Sequence, residues 1–341
     1  MNFQPVTRVK KDLVFRPITP EDLPSLTALY HLCFEDRPTE RYLRWRYFEA
    51  SEGTAPAMAA FDKETCVASC MVWPQNVMLD GKLIKAAQGC DAMVHPKYRG
   101  RGLFAKVGQK LAEYIKQRGY QIFFVFPNKD SMTVGMRSIA WRRGDELSRW
   151  SRPLCILGAS PLSEIAAAAT VLVTAKFASG LRIEFDKPQP EKIAQFTREQ
   201  TASDGFCSVC RDEAWFAWRY QDASGRSYRW VAAYSGEELK GLAVWRFDPA
   251  TRCAHLCELI GDKRTVPAVL NATLRAATRQ RARVLDFPTN DRELARYLTA
   301  QGFIRRPGLA FGVRSFDESI SVEGIQDVGA WKFYGGDVDY Y

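Results

Sequence analysis

Between Asp91 and Gly119 the hydrophobic pattern changes period. The stretch Ala86–Val94 reads as a strand that Pro96 stops, and beyond it apolar side chains recur at Leu103, Val107, Leu111 and Ile115. Four-residue steps place those side chains on one face, so the spacing predicts an amphipathic helix from Leu103 to Arg118, closed by Gly119. Arg99-Gly100-Arg101-Gly102 forms the turn between them. Ahead of this unit the pattern predicts a short strand at Val14–Ile18 and a helix start at Thr19-Pro20-Glu21-Asp22. A strand pair follows at Ala57–Phe61 and Val67–Trp73, then a tight hairpin about Asp80-Gly81. After the helix come a strand at Gln121–Phe126, a helix near Ser131–Ile139 and a closing strand near Glu146–Cys155 that completes the unit.

The pattern then repeats. Tyr42-Leu43-Arg44-Trp45-Arg46-Tyr47 is echoed by Trp215-Phe216-Ala217-Trp218-Arg219-Tyr220, and each WRY precedes a strand pair, the second being Trp230–Tyr234 with Gly241–Phe247. Phe126-Pro127-Asn128 is echoed by Phe287-Pro288-Thr289-Asn290, and Trp141 and Phe303 each stand thirteen residues after the asparagine. Four correspondences in one order predict two copies of one fold. The expected domains are 1–157, an Ala-rich connecting helix or linker at 158–180, a second unit at 181–315 and a tail at 316–341.

A strand, a glycine turn and a helix start together make an anion site. The first N–H groups of a helix lack internal partners, its dipole makes that end electropositive, and glycine lets a ligand lie against the backbone. RGRG therefore suits a pyrophosphate. It is neither a P-loop, since no Gly-Lys-Ser/Thr follows, nor the GxGxxG dinucleotide turn. In the second copy Ile260-Gly261-Asp262-Lys263-Arg264 holds one glycine, and its acid would repel phosphate.

HPKYRGRG resembles motif A of the GNAT superfamily of N-acetyltransferases, whose pattern is Arg/Gln-x-x-Gly-x-Gly/Ala; Arg99 and Gly102 match and Phe104 replaces the last small residue. The resemblance covers residues 85–128 tightly and the rest loosely. It implies an α/β fold of two GNAT-like domains, each a mixed, mostly antiparallel twisted sheet flanked by helices. It also implies acetyl-CoA as acyl donor, held at Arg99, Gly100, Arg101, Gly102, Leu103 and Phe104, with Met93 and Val94 at the positions whose backbone N–H polarises the thioester. Asn128 matches the position that bonds the pantetheine arm. The slot of the family's acid tyrosine falls at Met136 in the first copy and at Tyr297 in the second. The second copy resembles a degenerate GNAT unit that shapes the substrate cleft. Tandem proteins of this kind with a WRY element and a Trp…Gly-Asp-x-Asp tail (here Trp331 and Gly336-Asp337-Val338-Asp339) resemble bacterial acyltransferases, some with relatives in polysaccharide assembly.

Acyl transfer to an amine needs a base, an oxyanion donor and close approach. Three bases are candidates: Asp91 on the strand, His95 at its end, and the C-terminal carboxylate at Tyr341. His95 has a second reading as a loop-positioning residue. Trp45 and Arg46 are candidates for lining the acceptor cleft; because WRY recurs in both copies, a core tryptophan and a buried arginine pair are the competing reading. The acceptor implied is a small-molecule amine or amino sugar. A Fem-type aminoacyl transferase is the alternative enzyme, weakened by the intact RGRG, and a non-catalytic acyl-CoA sensor or scaffold is the alternative of another class.

Composition narrows the field. The 341 residues are 46% hydrophobic and 26% charged, enough to bury proper cores. A net charge of +9 favours an anionic partner, yet no long basic run points to nucleic acid. The N-terminus lacks an apolar signal core, and the run Ile165–Ala175 is too short to span a bilayer, so no membrane insertion is expected. Nine cysteines without such a signal suit a reducing cytoplasm. Cys207-x-x-Cys210 with Cys253, His255 and Cys257 invites a zinc reading, but no second CxxC exists, and the expectation is no metal. Nothing in the chain fixes its oligomeric state.

Overall fold

The computed structural model describes residues 13–35, 38–154, 180–201, 206–221 and 225–338. The Ala-rich segment expected to be a connecting helix lies almost wholly outside them, as do Asp339 and Tyr341.

Sixteen strands are described: β1 (Val14–Pro17), β2 (Ala57–Asp62), β3 (Thr65–Leu79), β4 (Lys82–Val94), β5 (Ile122–Val125), β6 (Arg142–Arg143), β7 (Leu147–Pro153), β8 (Arg182–Glu184), β9 (Cys207–Val209), β10 (Tyr228–Ser235), β11 (Glu238–Asp248), β12 (Cys253–Gly261), β13 (Val284–Pro288), β14 (Ile304–Leu309), β15 (Gly312–Ser315) and β16 (Trp331–Lys332). Helices α1 (Leu23–Cys33), α2 (Glu40–Phe48), α3 (Leu103–Gln117) and α4 (Lys129–Ser138) belong to the first half. In the second half lie α5 (Pro190–Thr201), α6 (Glu213–Arg219), α7 (Thr265–Arg279) and α8 (Arg292–Ala300), followed by a short α9 (Val322–Gln326).

Both sheets are mostly antiparallel; the parallel pairs are β4 with β5 and β9 with β16 in the first sheet and β12 with β13 in the second. Residues Asp80 and Gly81 both take positive φ, which makes the tight β3–β4 hairpin. Against the first sheet α3 buries Leu103, Val107, Leu111 and Ile115, the stripe that the four-residue spacing predicts. Helix α7 packs on the second sheet in the same way through Val269, Leu270, Leu274 and Ala277.

The halves exchange strands. The strand expected to close the first unit forms, but β7 lies in the second sheet, between β13 and β14. In return β15 enters the first sheet between β5 and β6. Glycine permits the close crossings: a Cβ on Gly144 would meet the Gln326 carbonyl at 2.0 Å, and one on Gly308 the Leu147 carbonyl at 2.7 Å. Periodicity specifies a strand and its buried face but not the sheet it joins. One hydrophobic cluster spans both sheets, with Phe124, Phe311, Trp331 and Phe333 in mutual ring contact.

The two WRY elements meet. Trp45 Nε1 donates to the Trp218 carbonyl at 2.9 Å, Trp218 Nε1 donates to the Trp45 carbonyl at 3.3 Å, and the rings stack at 5.5 Å. Such self-complementary pairing is what a two-fold relation between two copies produces.

Candidate functional site

Strand β4 ends at Val94 and a single 3-10 turn, Pro96–Tyr98, leads into Arg99. Gly100 and Gly102 take φ of 74° and 70°, the left-handed region glycine adopts freely, and the space beside both is open. Gly102 caps α3 without a side chain, and Lys106 N–H, bonding the Gly102 carbonyl at 3.1 Å, is the first to find the helix ladder. Among the described residues the N–H groups of 100–105 have no hydrogen-bond partner. The turn thus presents a row of free donors at an electropositive helix end. Arg99 Nε meanwhile donates to the Val94 carbonyl at 3.2 Å, and the Arg101 guanidinium lies 5.2 Å from the Tyr98 ring. The Phe104 side chain turns inward onto the α3 core, so its bulk does not obstruct the turn.

Beside the turn the sheet splits. Parallel pairing of β4 with β5 runs from Ala86/Ile122 to Gly89/Val125, where β5 ends, while β4 continues to Val94. Between Cys90 and Met93 the β3–β4 register shifts: Asp91 and Ala92 stand opposite Cys70 alone, a bulge that bends the strand. His95 N–H bonds Val67 of β3, so Val94 faces the other way, into the split. Its carbonyl accepts there from Cys33 Sγ at 3.5 Å and from Arg99, and its N–H shares that side. The Met93 side chain is buried in the core.

Asp91 is not a free base. Its carboxylate is 7% exposed and receives Arg46 through both Nε and Nη2 (the latter 3.1 Å), with the Tyr47 hydroxyl at 3.2 Å. This also corrects the placement of Arg46 and Trp45 in an acceptor cleft: both are buried, Arg46 in the ion pair and 4.4 Å from the Trp73 ring, Trp45 against Trp218. For His95 the loop-positioning reading is the one the geometry fits: its Nδ1 accepts from Lys97 N–H at 3.1 Å, tying the ring to the turn ahead of Arg99. Asn128, an exposed residue just past the end of β5, caps α4, its Oδ1 accepting from Ser131 N–H at 2.8 Å. Met136, in the slot of the acid tyrosine, is an exposed residue of α4.

The second half uses the same positions otherwise. Asp262 Oδ1 accepts from the N–H groups of Arg264 and Thr265 at 2.9 and 2.8 Å, and Val266 N–H bonds the Asp262 carbonyl. A carboxylate of the chain itself thus occupies the start of α7. Asn290 holds the tail, bonding the Trp331 carbonyl at 2.5 Å and Phe333 N–H at 2.9 Å. Arg219 donates to the Gly336 and Val338 carbonyls at 2.9 and 3.3 Å. Arg211 lies between Glu258 (3.0 Å) and Asp337 (2.6 Å), all three fully enclosed. A cleft of about 790 Å³ reaches Arg211 and is bordered also by Asp262, Lys263, Arg264, Tyr297 and Tyr334.

One repeat escaped the sequence reading. Cys90-Asp91 corresponds to Cys257-Glu258, each acid at its bulge and each bonded by the WRY tyrosine: Tyr47 to Asp91, and Tyr220 to Glu258 at 2.6 Å. Cys-acid on the third strand after each WRY was the signal. Among the described residues no three His, Cys, Asp or Glu side chains gather to hold a metal ion, and no helix is long and apolar enough to cross a membrane.

Residues 14–141 match the family model described as an acetyltransferase (GNAT) domain. No curated protein matches the chain in sequence. Among solved structures, a probable N-acyltransferase from Enterococcus faecalis superposes with a TM-score of 0.65 at 13% identity, over 89% of this chain and 72% of that one. A GCN5-related N-acetyltransferase from Kribbella flavida gives 0.63 at 16% identity, over 90% and 71%. A tandem GNAT protein from the clavulanic acid biosynthesis pathway gives 0.59 at 12% identity, over 91% and 100%. At such identities the structural likeness speaks for the fold.

Proposed function

Starting from residues 14–141 as a GNAT acetyltransferase domain within a two-unit GNAT fold, we propose an acetyl-CoA-dependent N-acetyltransferase that acts on the primary amine of a small molecule or amino sugar. The observation that carries this reading is the row of unpartnered N–H groups at 100–105, with open space beside Gly100 and Gly102, next to where β4 runs on past the end of β5.

In this reading the diphosphate of the donor lies on those amides, with Arg99 and Arg101 adding charge. The carrier supplies the activated thioester; the chain supplies position. The Val94 N–H, turned into the split, stabilises the oxyanion that develops on the thioester carbonyl. The Asn128 amide nitrogen bonds the pantetheine arm. The second unit, with its helix start capped by Asp262 and its cleft residues holding the tail, is a wall of the acceptor site and not a second donor site.

Thiol release from acetyl-CoA across a panel of small amines and amino sugars tests the reading. We expect amine-dependent release that saturates in both substrates. Tight CoA binding with no release for any amine would make the chain a sensor, in keeping with methionine at position 136.

A further inference from the structure

We infer that Arg46 and Tyr47, acting through Asp91, are the positioning residues for the Val94 N–H. This rests on the acyl-transfer reading above and adds to it the device that opens the site.

Asp91 holds φ +45°, a region that non-glycine residues occupy rarely and that persists when surroundings over-determine it. Here three contacts do so: Arg46 Nε, Arg46 Nη2 at 3.1 Å and the Tyr47 hydroxyl at 3.2 Å, on a carboxylate 7% exposed. Arg46 is itself braced on the Trp73 ring of β3 at 4.4 Å and Tyr47 is buried, so the anchor is rigid. The anchored residue is the first of the two that stand opposite Cys70. Pairing of β4 with β5 ceases two residues earlier, at Gly89. β5 ends at Val125, so the bulge falls where β4 runs on without that neighbour, and Val94 lies three residues beyond it with Cys33 and Arg99 fixing its carbonyl. Without the extra residue the phase of β4 would shift by one, and the Val94 N–H would turn toward β3 instead of away from it.

The second unit supports the assignment. Its bulge also carries an acid bonded by the WRY tyrosine, but there the arginine of WRY binds the tail and a different arginine, Arg211, takes the acid. Only in the unit with the free amides does the WRY arginine hold the bulge.

The test compares wild type with Asp91→Asn, which keeps size and tolerance of left-handed φ while losing charge, and with Tyr47→Phe, which removes one contact. Two readouts are taken on each folded protein. Calorimetric CoA affinity is expected to stay within about threefold because the turn is untouched, while kcat falls roughly thirtyfold in Asp91→Asn and several-fold in Tyr47→Phe. Amide hydrogen exchange over residues 91–94 is expected to change at least about tenfold in Asp91→Asn, with residues 84–89 unchanged. The exchange readout requires no turnover, so it decides the inference even if wild type proves inactive, a result that would sink only the acyl-transfer reading. Unchanged exchange at 91–94, or CoA affinity falling in step with kcat, overturns the positioning role.

Discussion

Glu258 occupies in the second unit the step that Asp91 occupies in the first, but its setting is different: it and Asp337 share the single guanidinium of Arg211, enclosed in the core. Burial pushes Glu258 up to about 7 and raises Asp337 as well, with Arg211 pulling against both. The folded chain thus retains a proton here that the unfolded chain releases near 4.5. Between those values the native state binds more protons, so this site's contribution to stability falls as pH rises. His255, pushed down to about 4 by burial, works in the opposite sense over an overlapping range, so only a difference between variants isolates Glu258. We expect the advantage of wild type over Glu258→Gln in thermal unfolding to shrink from about pH 5 to about pH 7.5. A pH-independent difference would mean that Glu258 does not titrate there. At this scale the sequence was partly legible. The type of residue at 91 and 95 suggested bases, but what a side chain touches depends on its partners, and the Arg46 pair that encloses Asp91 is set by tertiary contact.

At the scale of elements, the same strand–turn–helix unit ends in opposite ways. Helix α3 begins at a bare glycine with free amides, and α7 begins under Asp262. This contrast was legible, because RGRG against GDKR decides by composition alone whether the helix end stays bare or meets the chain's own acid. The tail is the less legible element. A Cβ on Gly336 would lie 2.0 Å from Glu258 Oε1 and 2.3 Å from the Tyr220 hydroxyl. Gly336→Ala is therefore expected to destabilise the fold by about 1–3 kcal/mol, the usual cost of overpacking, read as a lower midpoint in urea unfolding at unchanged m-value. A midpoint equal to wild type would show that the tail does not seat against the bulge acid.

The whole molecule is held together by exchange. With β7 in the second sheet and β15 in the first, neither half contains its own complete sheet, and the Trp45–Trp218 pair and the shared aromatic cluster join them further. We expect a single unfolding transition, coincident by tryptophan fluorescence and far-ultraviolet circular dichroism. Two separated transitions would contradict the interlocked reading. The repeat itself was legible from WRY and the Phe-Pro…Asn echoes. The exchange was not, since a strand's own residues do not name the sheet it joins, and the crossings depend on Gly144 and Gly308 meeting carbonyls remote in sequence. The most direct test of the account is calorimetric titration of CoA into wild type and into the Arg99→Glu/Gly102→Asp variant. The account predicts one CoA per chain for wild type and at least a hundredfold weaker binding for the variant, about 2.7 kcal/mol at 25 °C. Folded wild type that binds no CoA, or a variant that binds as tightly, would contradict it.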